Sequence, residues 1–151
     1  MRRTDKEITS RAEIEDILKR GRVCHLGLCD KGIPYVVPVN YGYADGSLYV
    51  HSAREGKKIE ILRSNNTVSF NVCIDERLIQ SATACTWTMK YCSVTGSGKA
   101  YLVESREEKN EALRLIVSHY SAGEYQLDSA MVDRVLIIKV RVDKLSGKMS
   151  V

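Results

Sequence analysis

The short connections between residues 22 and 51 constrain the fold more than any other feature of this chain. Apolar runs over residues 22–29, 35–43 and 48–51 are joined through Asp30-Lys31-Gly32 and through Ala44-Asp45-Gly46-Ser47. A parallel crossover needs a dozen or more residues, so strands joined this closely pair antiparallel. Asp45-Gly46 is the strongest hairpin cue, because both central residues of a type I′ turn need positive φ. A three-stranded meander is therefore predicted early in the chain.

The remaining pattern places helices around these strands. Ser10 and Glu13 form a capping box ahead of Ile14, Ile17 and Leu18, and Gly21 stops a helix predicted over residues 10–20. A shorter helix is predicted over residues 56–64. Residues 67–74 read as a strand, and residues 85–103 as one or two strands bent at Gly96 and Gly98. A third helix begins at Ser105, with Glu108 completing a second capping box and Ala112, Leu115, Ile116 and Tyr120 on its apolar side. His119 sits at its end, where a cation is favoured. Residues 135–142 are apolar at nearly every position, which predicts a strand covered on both faces. No βαβ alternation is present. The fold class is mainly β, a barrel with peripheral helices and protected strand edges.

The length of 151 residues implies a single domain over residues 1–151. No stretch approaches the apolar length of a membrane span, and no apolar segment follows the basic start, so a cytoplasmic protein is expected. The net charge of +4 is a mild bias that helps attract a phosphate ester. No Lys/Arg stripe with interleaved aromatics points to nucleic acid. The five cysteines are odd in number and form no C-x-x-C pair, so reduced, mostly buried thiols are expected rather than disulfides or a metal site.

The chemistry concentrates in two stretches. In the first, Pro38 removes a ladder donor in the middle of a strand, marking an edge, a bulge or a backbone turned toward a ligand. Asn40 and the flanking tyrosines offer polar edges and flat surfaces to a ring system. His51-Ser52-Ala53-Arg54-Glu55-Gly56-Lys57-Lys58 then joins a strand end to a helix start. Free N–H groups, the helix dipole, a serine and lysines there would suit a phosphate, although basic residues at a helix start are also commonly just solvated. His51 reads as a structural or solvent-facing histidine, as an acid/base or substrate contact, or as an axial haem ligand. In the second stretch, residues 86–98, Trp87 packs in the core or walls a flat-ligand pocket, with Lys90 or Ser93 reaching polar groups of the ligand. No Walker A or G-x-G-x-x-G fingerprint and no nucleophile triad is present.

Together, Val37-Pro38-Val39-Asn40-Tyr41-Gly42-Tyr43, Leu48-Tyr49-Val50-His51-Ser52-Ala53, Gly56-Lys57-Lys58 and Trp87-Thr88-Met89-Lys90-Tyr91 with Ser93, Val94 and Gly96 carry a resemblance. The chain resembles the pyridoxamine 5′-phosphate oxidase-like flavoproteins, and within them the nitroimidazole-resistance branch, over nearly its whole length. The resemblance implies a split β-barrel homodimer with FMN at the subunit interface. It implies that Pro38, Val39, Asn40 and Tyr41 line the isoalloxazine ring and that Ser52 with Lys57 or Lys58 lies near the flavin phosphate. Met89, Lys90, Tyr91, Ser93 and Val94 would line the same site, and His51 is the candidate catalytic residue beside the flavin. The chain departs from the true oxidases in having no histidine after His119, which argues against oxidation of vitamin B6. The expected activity is electron transfer from a reduced nicotinamide to a small acceptor such as a nitroaromatic. A non-catalytic flavin binder and a haem-binding protein on the same fold are the alternatives.

Overall fold

Two tight turns of one kind build the first hairpins of the computed structural model, which describes residues 4–150. After β1 (Glu7–Ile8), α1 (Arg11–Arg20) leads into β2 (Cys24–Asp30) and β3 (Ile33–Val39). Lys31 and Gly32, at φ 49° and 90°, turn β2 into β3. Asp45 and Gly46, at φ 48° and 70°, likewise turn β4 (Gly42–Ala44) into β5 (Ser47–Ser52). Two successive positive-φ residues are the type I′ geometry expected at Asp45-Gly46.

The chain continues through α2 (Lys57–Ser64), β6 (Thr67–Ile79), β7 (Thr88–Val103), α3 (Arg106–Tyr120), α4 (Ser129–Arg134) and β8 (Leu136–Ser150). The sheet runs β3-β2-β6-β7-β8-β5-β4, with β1 paired to β8 and every pairing antiparallel. β3 and β4 end the sheet on opposite sides, yet only Asn40 and Tyr41 separate them in sequence. Two residues span no more than about 10 Å between flanking Cα atoms. The sheet must therefore curl until its edges nearly meet, and the result is a barrel split between β3 and β4.

The predicted meander does not form. Its second strand breaks at residues 40–41, where the Tyr41 amide bonds a side chain, and the two hairpins pair with different neighbours. Pro34 and Pro38 lie on edge strand β3, opposite Cys29 and His25, where a missing donor costs the ladder nothing. Ser10 caps α1 by accepting from the Glu13 amide at 3.3 Å. The second predicted box does not close: Ser105 is the cap of α3, but its exposed side chain makes no capping bond.

Alternating inward residues fill the barrel, among them Leu26, Leu48, Val50, Phe70, Val72, Val94, Ile138 and Val140. A second cluster of Val103, Ala112, Ile116 and Ile137 lies between the outer wall and α3. It explains why β8 is apolar at both parities, since α3 covers Ile137, which is 0% exposed. Among the described residues no helix is long and apolar enough to cross a membrane.

A candidate anion and flat-ligand site at the split of the barrel

At its end, β5 turns its last two side chains to opposite faces of the sheet. His51 is exposed on the outside, opposite Ile137 of β8. Ser52 is only 8% exposed, and its hydroxyl makes no hydrogen bond with any described residue. Gly56, at φ 113°, begins α2 in a conformation that disfavours any side chain. Its carbonyl accepts from Ile59 and Glu60 at 2.9 and 3.1 Å, so the amides of Lys57 and Lys58 lie in the unpaired first turn.

Lys57 and Lys58 occupy the helix end where the dipole opposes cations. Lys58 is half-buried, and burial pulls its pKa below the ordinary lysine range. Lys57 sends its ammonium to 5.1 Å from the Tyr35 ring centroid, which ties the start of α2 to β3. An anion at this helix end would relieve both lysines. Arg54 in the same loop is turned away: it donates to the Asp133 carbonyl at 3.2 Å and stands 3.7 Å from Glu104.

On β3, Pro38 is exposed and Val39 packs half-buried against the core, while Asn40 is exposed in the link that follows. Tyr41 differs from the expectation of a ring-lining side chain. It is 0% exposed, and its hydroxyl donates to the Leu18 carbonyl at 2.6 Å. Burial also holds this phenol well above its ordinary pKa. The side chain can lie in the core because its one polar group, the phenol hydroxyl, is satisfied there.

The second predicted group lies on β7. Met89 is 44% exposed, and Lys90, Tyr91 and Ser93 are half-buried, whereas Val94 is at 0% and points into the barrel. Lys90, Tyr91 and Cys92 line a cavity of about 490 Å³ with Asp75, Arg77 and Met149. β2 and β6 stand between β3 and β7. Three strand spacings, about 14 Å around the sheet, therefore separate this group from Pro38 and Asn40 within one chain. Trp87 does not pack in the core. It is 44% exposed in the turn before β7, a 3-10 stretch (Ala84–Thr86) precedes it, and its Nε1 donates to the Ser81 carbonyl at 3.0 Å.

Sequence reasoning missed three contributors: Tyr35 under Lys57, the tether of Arg54, and the contacts of His119 and Tyr120 beside the split. Only Tyr35 had a signal, its place in the quoted strand; the others arise from pairings nearly 80 residues or more apart. Among the described residues no group of three or more His, Cys, Asp or Glu is placed to hold a metal ion.

No functionally curated protein matches this chain. Among solved structures it is similar to a protein of Bacteroides thetaiotaomicron provisionally named a 5-nitroimidazole antibiotic resistance protein. The two share 36% identity over 95% of this chain and 86% of that one, with a TM-score of 0.85. An FAD-binding protein from Mesorhizobium loti is 26% identical over 94% of this chain and 96% of that one, at a TM-score of 0.69. A flavocytochrome from Azotobacter vinelandii shares the fold at a TM-score of 0.86 but only 19% identity, over 100% of this chain and 72% of that one. The family profile described as pyridoxamine 5′-phosphate oxidase matches residues 10–149, so the split barrel described here belongs to the pyridoxamine 5′-phosphate oxidase family.

Proposed function

We propose that this chain is an FMN-binding flavoprotein, working as a homodimer, that passes electrons from a reduced nicotinamide to a small acceptor such as a nitroaromatic. The observation that carries the reading is the convergence of the Ser52 hydroxyl, at the end of β5 and without a partner among the described residues, with the free amides and ammonium groups of Lys57 and Lys58 beyond Gly56. That donor set fits a phosphomonoester: a hydroxyl, two unpaired helix amides and two ammonium groups. Similarity to the B. thetaiotaomicron resistance protein and to the FAD-binding protein supports a flavin and the acceptor class.

When bound, the flavin supplies the hydride and electron chemistry, and the protein supplies orientation and electrostatics. In this reading Ser52, Lys57 and Lys58 hold the phosphate, exposed Pro38 and Asn40 flank the ring, and His51 contacts ring or substrate. The 14 Å gap favours a second copy, whose residues 89–93 complete the site from across the interface. Exposed Leu78, Trp87 and Met89, on a ribbon reaching past the barrel, supply apolar surface for that contact.

The test is the absorption spectrum of the purified protein, followed by titration with FMN. A flavin spectrum is expected, with Lys57→Ala and Lys58→Ala each weakening FMN roughly tenfold, as for loss of one charge-assisted bond. A colourless protein that takes up no FMN would overturn the reading. Nicotinamide oxidation no faster than with free FMN would leave a flavin binder without the electron-transfer role. A Soret band lost in His51→Ala would favour haem, a reading supported by exposed His51 and by fold similarity to the flavocytochrome.

A further inference from the structure

We propose that His119 and Tyr120, at the C-terminal end of α3, are positioning residues that clasp the split of the barrel and so fix the ligand-facing end of β3. The link to a ligand rests on the flavin reading above. The Tyr120 hydroxyl accepts from the Tyr41 amide at 3.0 Å and donates to the Arg22 carbonyl at 2.9 Å. It thereby joins the two-residue link between β3 and β4 to the loop that enters β2. His119 Nε2 lies 2.6 Å from the Gly21 carbonyl. A carbonyl only accepts, so Nε2 carries the proton. The imidazole also packs against Tyr41, with ring centroids 4.6 Å apart.

These contacts bridge two sides that the sheet leaves apart. The body of α3 packs on β4, β5 and β8, whereas Gly21 and Arg22 lead into β2, the partner of β3. Space at the clasp is already used up. A Cβ on Gly42 would lie 3.0 Å from Leu115 and 3.1 Å from the Ile116 amide. One on Gly21 would collide with Val72 and come within 2.6 Å of the Tyr41 hydroxyl. Without the clasp, the edges β3 and β4 keep the chain link through Asn40 and Tyr41, and the ties that remain near it are Lys57 over Tyr35 and the Tyr41 hydroxyl on Leu18. Pro38 and Asn40, the exposed residues at this end, would then lose their fixed relation to Ser52 and Lys57.

The test compares Tyr120→Phe and His119→Ala with His119→Gln, which retains an N–H donor, and with Tyr101→Phe on exposed β7 as control. Amide exchange at Val37, Val39 and Tyr41 is read in the flavin-free proteins, and FMN affinity and the visible flavin band in the loaded ones. Tyr120→Phe and His119→Ala are expected to speed exchange at those amides and to weaken FMN about tenfold, the scale of one lost hydrogen bond. The flavin band is expected to shift as well. His119→Gln and Tyr101→Phe are expected to stay within about twofold of the wild type, too little to count as a lost bond. Unchanged exchange at Val37 and Val39 overturns the clasp whether or not FMN binds. Faster exchange with unaltered FMN affinity and spectrum overturns its positioning role. Failure of the wild-type protein to bind FMN, with exchange still accelerated, overturns the flavin reading and leaves the clasp standing.

Discussion

Cys24 lies at 0% exposure on the inner face of β2, and burial pushes its thiol up to about 12. Cys73 is pushed up to about 11 by burial, aided by a hydrogen bond with Glu76, and burial raises Cys92 as well. Thiolates are the reactive species, so raised pKa values slow the reactions of these thiols at neutral pH. Exposed Cys85 is expected to react first with iodoacetamide at pH 8, half-buried Cys73 more slowly, and buried Cys24 only after denaturation. Peptide mapping after brief labelling reads the order, and early modification of Cys24 would contradict the burial argument. A thiol raised in the folded state contributes its full stability below its unfolded pKa, about 8.5. That contribution is lost as pH climbs toward 11–12, so Cys24 and Cys73 add to alkaline rather than acid unfolding. At this same scale the candidate site was only partly legible. The Ser52–Lys58 stretch could be read because its chemistry is local to one loop and one helix start. Tyr41 could not, because burial of its side chain depends on α1 and α3, whose contacts no short motif encodes.

Among the strands, β7 shows how glycine spacing translates into shape. Gly96 faces Phe70 of β6, whose ring would collide with any Cβ there. Gly98 sits at a register shift against β8, and a Cβ would strike the backbone carbonyl of Arg141. An aromatic ring can swing aside where a ladder carbonyl cannot. Gly98→Ala is therefore expected to cost about 3 kcal/mol and Gly96→Ala closer to 1 kcal/mol, the two ends of the overpacking range. Urea unfolding monitored by circular dichroism measures both, and the reverse order would contradict this account. The irregularity at Gly98 was read from sequence, as were the turns at Gly32 and Gly46, because glycine marks geometry locally. The true extents of β6 and β8 were not. Residues 143–150 are mostly polar, and they are held in β8 by the backbone ladders to β7 and β1 rather than by an apolar pattern. α4 was missed for a related reason, since it buries only Val132.

In the whole molecule, β8 is the keystone of the sheet: it pairs with β7 along nearly its full length, with β5 at its start and with β1 at its end. A chain stopped after Val135 is expected to be insoluble and to show no cooperative thermal transition, because β5 and β7 would both present open edges. Calorimetry of the soluble fraction would detect any such transition, and a sharp one would contradict this role of β8.

The position of β8 also has a meaning in time. Of the described residues, those of β8 are among the last to be synthesised, and at about 5–20 residues per second β2 waits roughly 6–24 s for the whole of β8 and β7 roughly 2–9 s. Throughout that wait the nascent chain carries unpaired edges and unburied apolar faces, as slow-folding long-range topologies do. Strands β3, β2, β6 and β7 are neighbours without β8, but β5 and β4 reach that group in the sheet only through β8. The barrel closes after β8 arrives, and its yield in a cell depends on how well the unfinished chain is sheltered until then.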